Sequence, residues 1–201
     1  MFRARRQTYD KIVIWIALAI PGAWLCLQWA FSSDPWVADY IASSGLWSAR
    51  LLILAICLTP LQQLAGHRRW LALLLRHRRA IGVAAFAYTL LHVLLYAVDM
   101  ANLDTIADEA MAPSMVAGWL AMAAMAIPAV TSNDRAMRTF AAGWKRLQRF
   151  AYPAAILTLV HWALVHDGFG EALLHFAPLI LLQALRLWRR PWSPSLERKT
   201  I

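Results

Sequence analysis

The chain has 201 residues, of which 61% are hydrophobic and 15% charged, against ~45–50% apolar and ~25% charged in an ordinary soluble domain. That balance disfavours a soluble enzyme, a disordered chain and a disulfide scaffold, and it matches the ~120 apolar side chains that six bilayer crossings of ~20 residues require. The formal charge of +9 raises the question of a nucleic-acid partner, but the charges are partitioned along the chain in the manner of a membrane protein, and no nucleic-acid partner is expected.

Arg3, Arg5, Arg6 and Lys11 precede a first apolar run at about 12–31. Its core is too long for a signal peptide and no small-residue cleavage site follows, so it reads as a retained helix. Asp34 and Asp39 separate it from a second run at 46–65, and Arg68, Arg69, Arg76, Arg78 and Arg79 lead into a third at 80–98. Asp99, Asp104, Asp108 and Glu109 come next, then a fourth run at 113–130 followed by Arg135, Arg138, Lys145, Arg146 and Arg149. The fifth run, 150–165, ends at Asp167 and Glu171; the sixth, 172–188, ends among Arg186, Arg189, Arg190, Arg198 and Lys199. Of the basic residues, Arg50 alone falls outside these four clusters.

Lys and Arg remain on the cytoplasmic side. The pattern therefore predicts an all-α integral membrane protein, a six-transmembrane-helix bundle with both termini cytoplasmic, forming one domain over residues 1–201. Continuous apolar runs exclude the alternating strands of an outer-membrane barrel. Trp29, Trp36 and Trp47 mark the outer boundary and Trp70, Trp144, Trp188 and Trp192 the inner one. Cys26 and Cys57 sit at unmatched depths and are expected to be buried, unbridged thiols. Covalent c-type haem, Walker, dinucleotide and His-Glu-x-x-His motifs are absent, and no internal repeat is visible.

Ionisable residues inside a span are costly and usually functional. His92 lies 13 residues beyond Arg79, and His161 lies 12 beyond Arg149. Both helices start from a basic cluster, which places the two imidazoles ~20 Å and ~18 Å from the inner boundary. Two neutral imidazoles at one depth suit a six-coordinate b-type haem; interhelical hydrogen bonds are the plainer use of the same pair. Arg50, ~7 Å below the outer surface, is a candidate for a haem propionate or for a lipid headgroup. His166 and His175 lie near the outer end as further contacts. Tyr88 and Tyr96, four residues either side of His92, share its face and either line the pocket or pack between helices. His67 and His77 fall in the basic inner loop, where solvated or lipid-facing charge is the expected role.

Several stretches resemble a known family. They are Gly45-Leu-Trp-Ser-Ala-Arg50 with Leu58-Thr-Pro-Leu61; Arg78-Arg-Ala-Ile-Gly82 leading to Tyr88-Thr-Leu-Leu-His92 and Tyr96; and Thr131-Ser132 with Trp144-Lys-Arg-Leu147, Tyr152 and His161-Trp162. In this order they resemble the MsrQ (formerly YedZ) family, haem-binding membrane subunits of bacterial periplasmic methionine sulfoxide reductase systems, in the ferric-reductase-like transmembrane group.

The resemblance implies a cytochrome of the bacterial cytoplasmic (inner) membrane that takes electrons from the quinone pool, directly or through bound FMN. It passes them to a periplasmic molybdopterin enzyme that repairs oxidised methionine and forms a heterodimer with it. The family's ligand histidines carry over to His92 and His161, and a further inner histidine of the family is Gln148 here. Glutamine is a poor haem ligand, so one haem b is expected and a second is doubtful, with His77 and Arg78 the other inner-site positions. A membrane ferric or other metal reductase is the nearest alternative function. A haem-free transporter or scaffold is the alternative from another class.

Overall fold

The computed structural model describes residues 2–189, with side chains from Tyr9 onward. Trp192, Arg190, Arg198 and Lys199 of the last basic cluster and its flank lie outside the described residues, as do the side chains of Arg3, Arg5 and Arg6. Ten α-helices follow in order: α1 (Phe2–Phe31), α2 (Val37–Ala65), α3 (Arg69–Arg76), α4 (Arg78–Met100), α5 (Leu103–Glu109), α6 (Pro113–Val130), α7 (Asp134–Phe140), α8 (Trp144–Gln148), α9 (Ala151–Val165) and α10 (Gly170–Trp188). A single 3-10 turn, Ala141–Gly143, joins α7 to α8.

The molecule is a helical, multi-pass membrane protein: α1, α2, α4, α6 and α10 are each long and apolar enough to cross a bilayer. The fifth expected crossing, 150–165, forms the 15-residue α9. At 1.5 Å per residue α9 is ~22 Å long, short of a ~30 Å hydrocarbon core. The helix that holds the second run extends beyond it, starting at Val37, and within it Ser44 returns its hydroxyl to Ile41 O at 2.9 Å and so satisfies its polar group. The connections between the runs contain the short helices α3, α5, α7 and α8. Asparagine caps start two of them, Asn102 accepting from Asp104 N–H at 2.9 Å and Asn133 from Ala136 N–H at 2.7 Å.

Helix α2 is the hub. Leu51, Leu52, Ile56 and Leu58 on it are buried against Ile81, Ala84 and Ala85 of α4, Ala124 and Met125 of α6, Ala154 and Ala155 of α9, and Phe176 and Leu179 of α10. The small alanines matter because helix association in lipid depends on close backbone approach rather than on a hydrophobic driving force. The closest pairs are α2 with α4 and α6 with α9, while α10 lies across α2 and α9. The lipid-facing shell is the reverse of a soluble surface, with Trp15, Ile20, Trp24, Ile156, Leu174 and Leu181 exposed. Cys57 is buried as expected; Cys26 is exposed, a correction that follows from α1 burying little beyond Leu25.

At the basic end two carboxylates are paired with arginine, Asp10 with Arg76 at 3.6 Å and Asp134 with Arg79 at 2.9 Å. The hydrogen bond and charge of Arg79 hold the Asp134 carboxyl below the usual carboxylate range. The pair is therefore intact at neutral pH and is lost as pH falls through that lowered value.

α1 leans on α4, and one side chain makes the joint. Pro21 removes a backbone donor from α1. The Tyr88 hydroxyl enters the disturbed turn, donating to Leu18 O at 2.9 Å and accepting from Gly22 N–H at 2.6 Å. A hydroxyl thus sits within what would be the Gly22-to-Leu18 helical bond, a recognised cause of helix bending. Gly22 suits this close approach, since a Cβ would stand a tight 3.1 Å from the tyrosine oxygen. Tyr88→Phe should lower the unfolding free energy by about 0.5–1.5 kcal/mol, read as a reduced thermal midpoint in detergent; an unchanged midpoint would mean that α1 closes its own bond at no cost.

Candidate functional site

His92 and His161 come from α4 and α9 and face each other, with ring centroids 6.2 Å apart and ring planes at 86°. Each is pinned to a different neighbouring helix. His92 Nδ1 lies 2.8 Å from Ile41 O on α2, and His161 Nδ1 lies 2.7 Å from Ser114 O on α6. A carbonyl oxygen only accepts, so both Nδ1 atoms carry the proton and donate it. The neutral tautomer then leaves the Nε2 lone pair of each ring free, and no protein partner for either Nε2 is seen among the described residues. This is how a ligating histidine is ordinarily supported, its second nitrogen bonded to a carbonyl that fixes tautomer and ring orientation.

The separation also suits a shared ion. An imidazole nitrogen lies ~2.0 Å from a metal it binds and ~1.1 Å from its own ring centre, so two rings on opposite sides of one ion have centroids ~6.2 Å apart. Among the described residues no three His, Cys, Asp or Glu side chains converge. Two imidazoles are thus the whole protein donor set here. They fit an iron whose remaining four ligands come from a porphyrin, and they do not fit a structural zinc site.

At the end where the acidic segments meet, the outer candidates gather around Trp162. Its ring lies 4.9 Å from His175 and 6.5 Å from His166. Arg50 Nη2 donates to His175 Nε2 at 3.4 Å, while His175 Nδ1 donates to Glu171 O at 3.1 Å. The guanidinium also sits 5.6 Å over the Trp47 ring. Trp162 Nε1 is buried without a hydrogen-bond partner, an uncommon condition for an indole in a core. His166 is exposed at the end of α9.

Tyr88 turns away from the histidine pair toward α1, as described above, and so is no part of the pocket. Tyr96 gives its hydroxyl to Glu109 Oε2 at 3.1 Å and sets its ring edge-on to Trp119 at 6.5 Å. It ties α4 to α5 rather than offering a free polar group to the site.

At the basic end a cavity of about 380 Å³ opens between α2, α4, α6, α8, α9 and α10. Five cations line it: Arg78, Arg79, Lys145, Arg149 and Arg186. Trp144, Tyr152 and Gln148 add two aromatic faces and an amide, and no carboxylate takes part in the lining. Arg78 is held in place by Ala55 O at 2.7 Å and Thr59 Oγ1 at 3.1 Å. Gln148 Nε2 is spent on Pro128 O and Thr131 Oγ1, both at 3.1 Å. His77 does not rescue an inner ligand set: the helix breaks at this residue, which is buried at the α3–α4 junction with Nε2 unpartnered. It is absent from the cavity wall, so the cavity offers no imidazole to a second haem.

Gly45, Gly118, Trp162 and the cavity's Lys145, Arg149 and Arg186 were not legible as a site from the sequence. A glycine inside an apolar helix signals close approach of another group, but Gly45 and Gly118 share that signal with Gly22 and with Gly82, where a Cβ would meet nothing within 4 Å. Gln148→Leu should cost only about 1 kcal/mol, because Thr131 Oγ1 keeps Ile127 O and Pro128 O keeps the Ser132 hydroxyl. Chemical denaturation checks this, and a loss several times larger would assign Gln148 a bigger structural role.

The model of the ferric reductase like transmembrane component matches residues 44–159, a segment holding Arg50, His92, Gln148 and both glycines. The chain is 34% identical over 165 residues to a protein of Xanthomonas campestris pv. campestris (strain 8004) named protein-methionine-sulfoxide reductase heme-binding subunit MsrQ, covering 80% of this chain and 73% of that relative. A protein of the same name from Xanthomonas axonopodis pv. citri (strain 306) is 33% identical over 192 residues, 90% of this chain and 86% of the relative. No solved structure matches. The chain belongs to the MsrQ family, within the ferric-reductase-like transmembrane group.

Proposed function

We propose, taking that membership as the premise, that the chain is the haem b subunit of a methionine sulfoxide reductase system, carrying electrons from the quinone pool to a periplasmic molybdopterin-containing reductase. The observation that carries this reading is the facing pair His92 and His161, each with Nδ1 bonded to a carbonyl and Nε2 free, at a centroid distance of 6.2 Å. Bound between them, a haem supplies one-electron transfer without substrate chemistry of its own. α9 serves as a sixth crossing, with the short helix α8 and the 3-10 turn making up its length at the basic end. The Lys and Arg clusters support this reading, with both termini in the cytoplasm and the acidic segments outside the inner membrane.

In this orientation the Arg50, His175 and Trp162 group lies toward the outer face. Arg50 and the free Trp162 N–H are the donors available to haem propionates. The basic cavity opens toward the cytoplasm and takes the electron donor. Its cations suit an anionic group and its Trp144 and Tyr152 rings a planar one, so the chemistry fits the phosphate and ring system of FMN or the head of a quinol. It does not suit a second haem, because Gln148 is bound to protein and no histidine lines the wall.

Metal reduction is the second reading, favoured by the name of the matching family model. Spheroplasts, which expose the periplasmic face, separate the two. A short-chain quinol should reduce the haem in the wild type, and a periplasmic molybdoenzyme supplied with methionine sulfoxide should reoxidise it; reoxidation by external chelated ferric iron without that enzyme would transfer the claim to metal reduction. Purified His92→Ala and His161→Ala should each lose most of the bound haem while keeping their helical content, and retention in both would remove the ligand assignment.

A further inference from the structure

The two histidines are held by the same device, built twice. On α2 the carbonyl of Ile41 accepts from His92, and on α6 the carbonyl of Ser114 accepts from His161. Four residues further along each helix stands a glycine, Gly45 and Gly118. One turn of helix brings carbonyl and glycine to one face. A Cβ at Gly45 would lie 2.9 Å from His92 Nδ1 and 3.1 Å from its Cε1. At Gly118 the same atom would lie 2.9 Å from His161 Nδ1 and 3.0 Å from its Cε1. The imidazole edge therefore occupies the place a side chain would take, and the adjacent carbonyl fixes its rotation. The two rings leave these seats with planes 86° apart.

We propose that Gly45 and Gly118 are positioning residues whose missing side chains, with the Ile41 and Ser114 carbonyls, lock the two axial imidazoles in mutually perpendicular planes. The inference rests on the haem reading above and adds a property that reading does not require. Rotation about a metal–imidazole bond is soft, so without such seats the angle between the rings would be left to chance. The angle has an electronic consequence. Each imidazole donates π density into the iron orbital perpendicular to its plane. Rings at right angles raise the two relevant d orbitals equally, whereas parallel rings raise one and split them. Near-degenerate orbitals in the ferric low-spin ion retain orbital angular momentum and make its magnetic response strongly anisotropic.

The test is low-temperature electron paramagnetic resonance of the oxidised, detergent-purified holoprotein, with optical spectra on the same samples. The wild type should give a low-spin signal dominated by one feature at large g, with no resolved rhombic triplet. Gly45→Ala and Gly118→Ala should each shift that feature toward the rhombic form or convert part of the iron to high spin. Gly82→Ala, where a Cβ meets nothing within 4 Å, should leave it unchanged. A rhombic low-spin signal in the wild type overturns the proposal without any variant, and an unchanged signal in both alanine variants overturns the positioning role. Absence of a low-spin two-imidazole optical spectrum in the wild type defeats the haem reading itself, and the inference with it.

Discussion

Leaving a polar nitrogen unpaired in hydrocarbon is costly, and the contacts of two imidazoles with the main chain of their neighbours are the ones on which the rest of this structure depends. Each buries one nitrogen against the main chain of a neighbouring helix, which is possible only where that helix approaches closely and carries no side chain at the contact. The α2–α4 and α6–α9 pairs, the tightest in the molecule, are also the pairs that seat His92 and His161. Packing and the candidate chemistry are thus the same contacts. The second nitrogen of each ring is left over, and two leftover nitrogens at one depth are what a haem iron accepts.

The two ends of the bundle divide the remaining tasks by charge. Toward the acidic end, Arg50 is set against Trp47 and His175 beside an indole donor with no partner among the described residues. The basic end holds a cavity with five cations and no carboxylate. Arg79 is committed to Asp134 and Arg78 to neutral oxygens of α2.

Much of this was legible in the sequence, because charge partition and continuous apolar runs respond directly to the bilayer. The fourth run agreed with α6 at both ends, and the shared level of His92 and His161 followed from counting residues beyond Arg79 and Arg149. The reading left alternatives open where contacts between helices decide. Tyr88 shares a helical face with His92 by spacing, and of its two expected uses its hydroxyl takes the contact with a neighbouring helix, α1. The extension of α2 back to Val37 includes a serine whose hydroxyl is satisfied on its own helix. The duplicated seat escaped notice because its parts are a main-chain carbonyl and an absent side chain, neither of which leaves a motif. Gln148 was read as a poor ligand from its chemistry alone, and its bonds to Pro128 and Thr131 show how the amide is satisfied.

The most direct test of the central claim is an experimental structure of the oxidised protein in which iron is located by its own anomalous scattering. The account predicts one iron per chain, between His92 and His161 and within bonding distance of both Nε2 atoms. An iron seated in the basic cavity beside Gln148, or no iron between the two histidines, would contradict it.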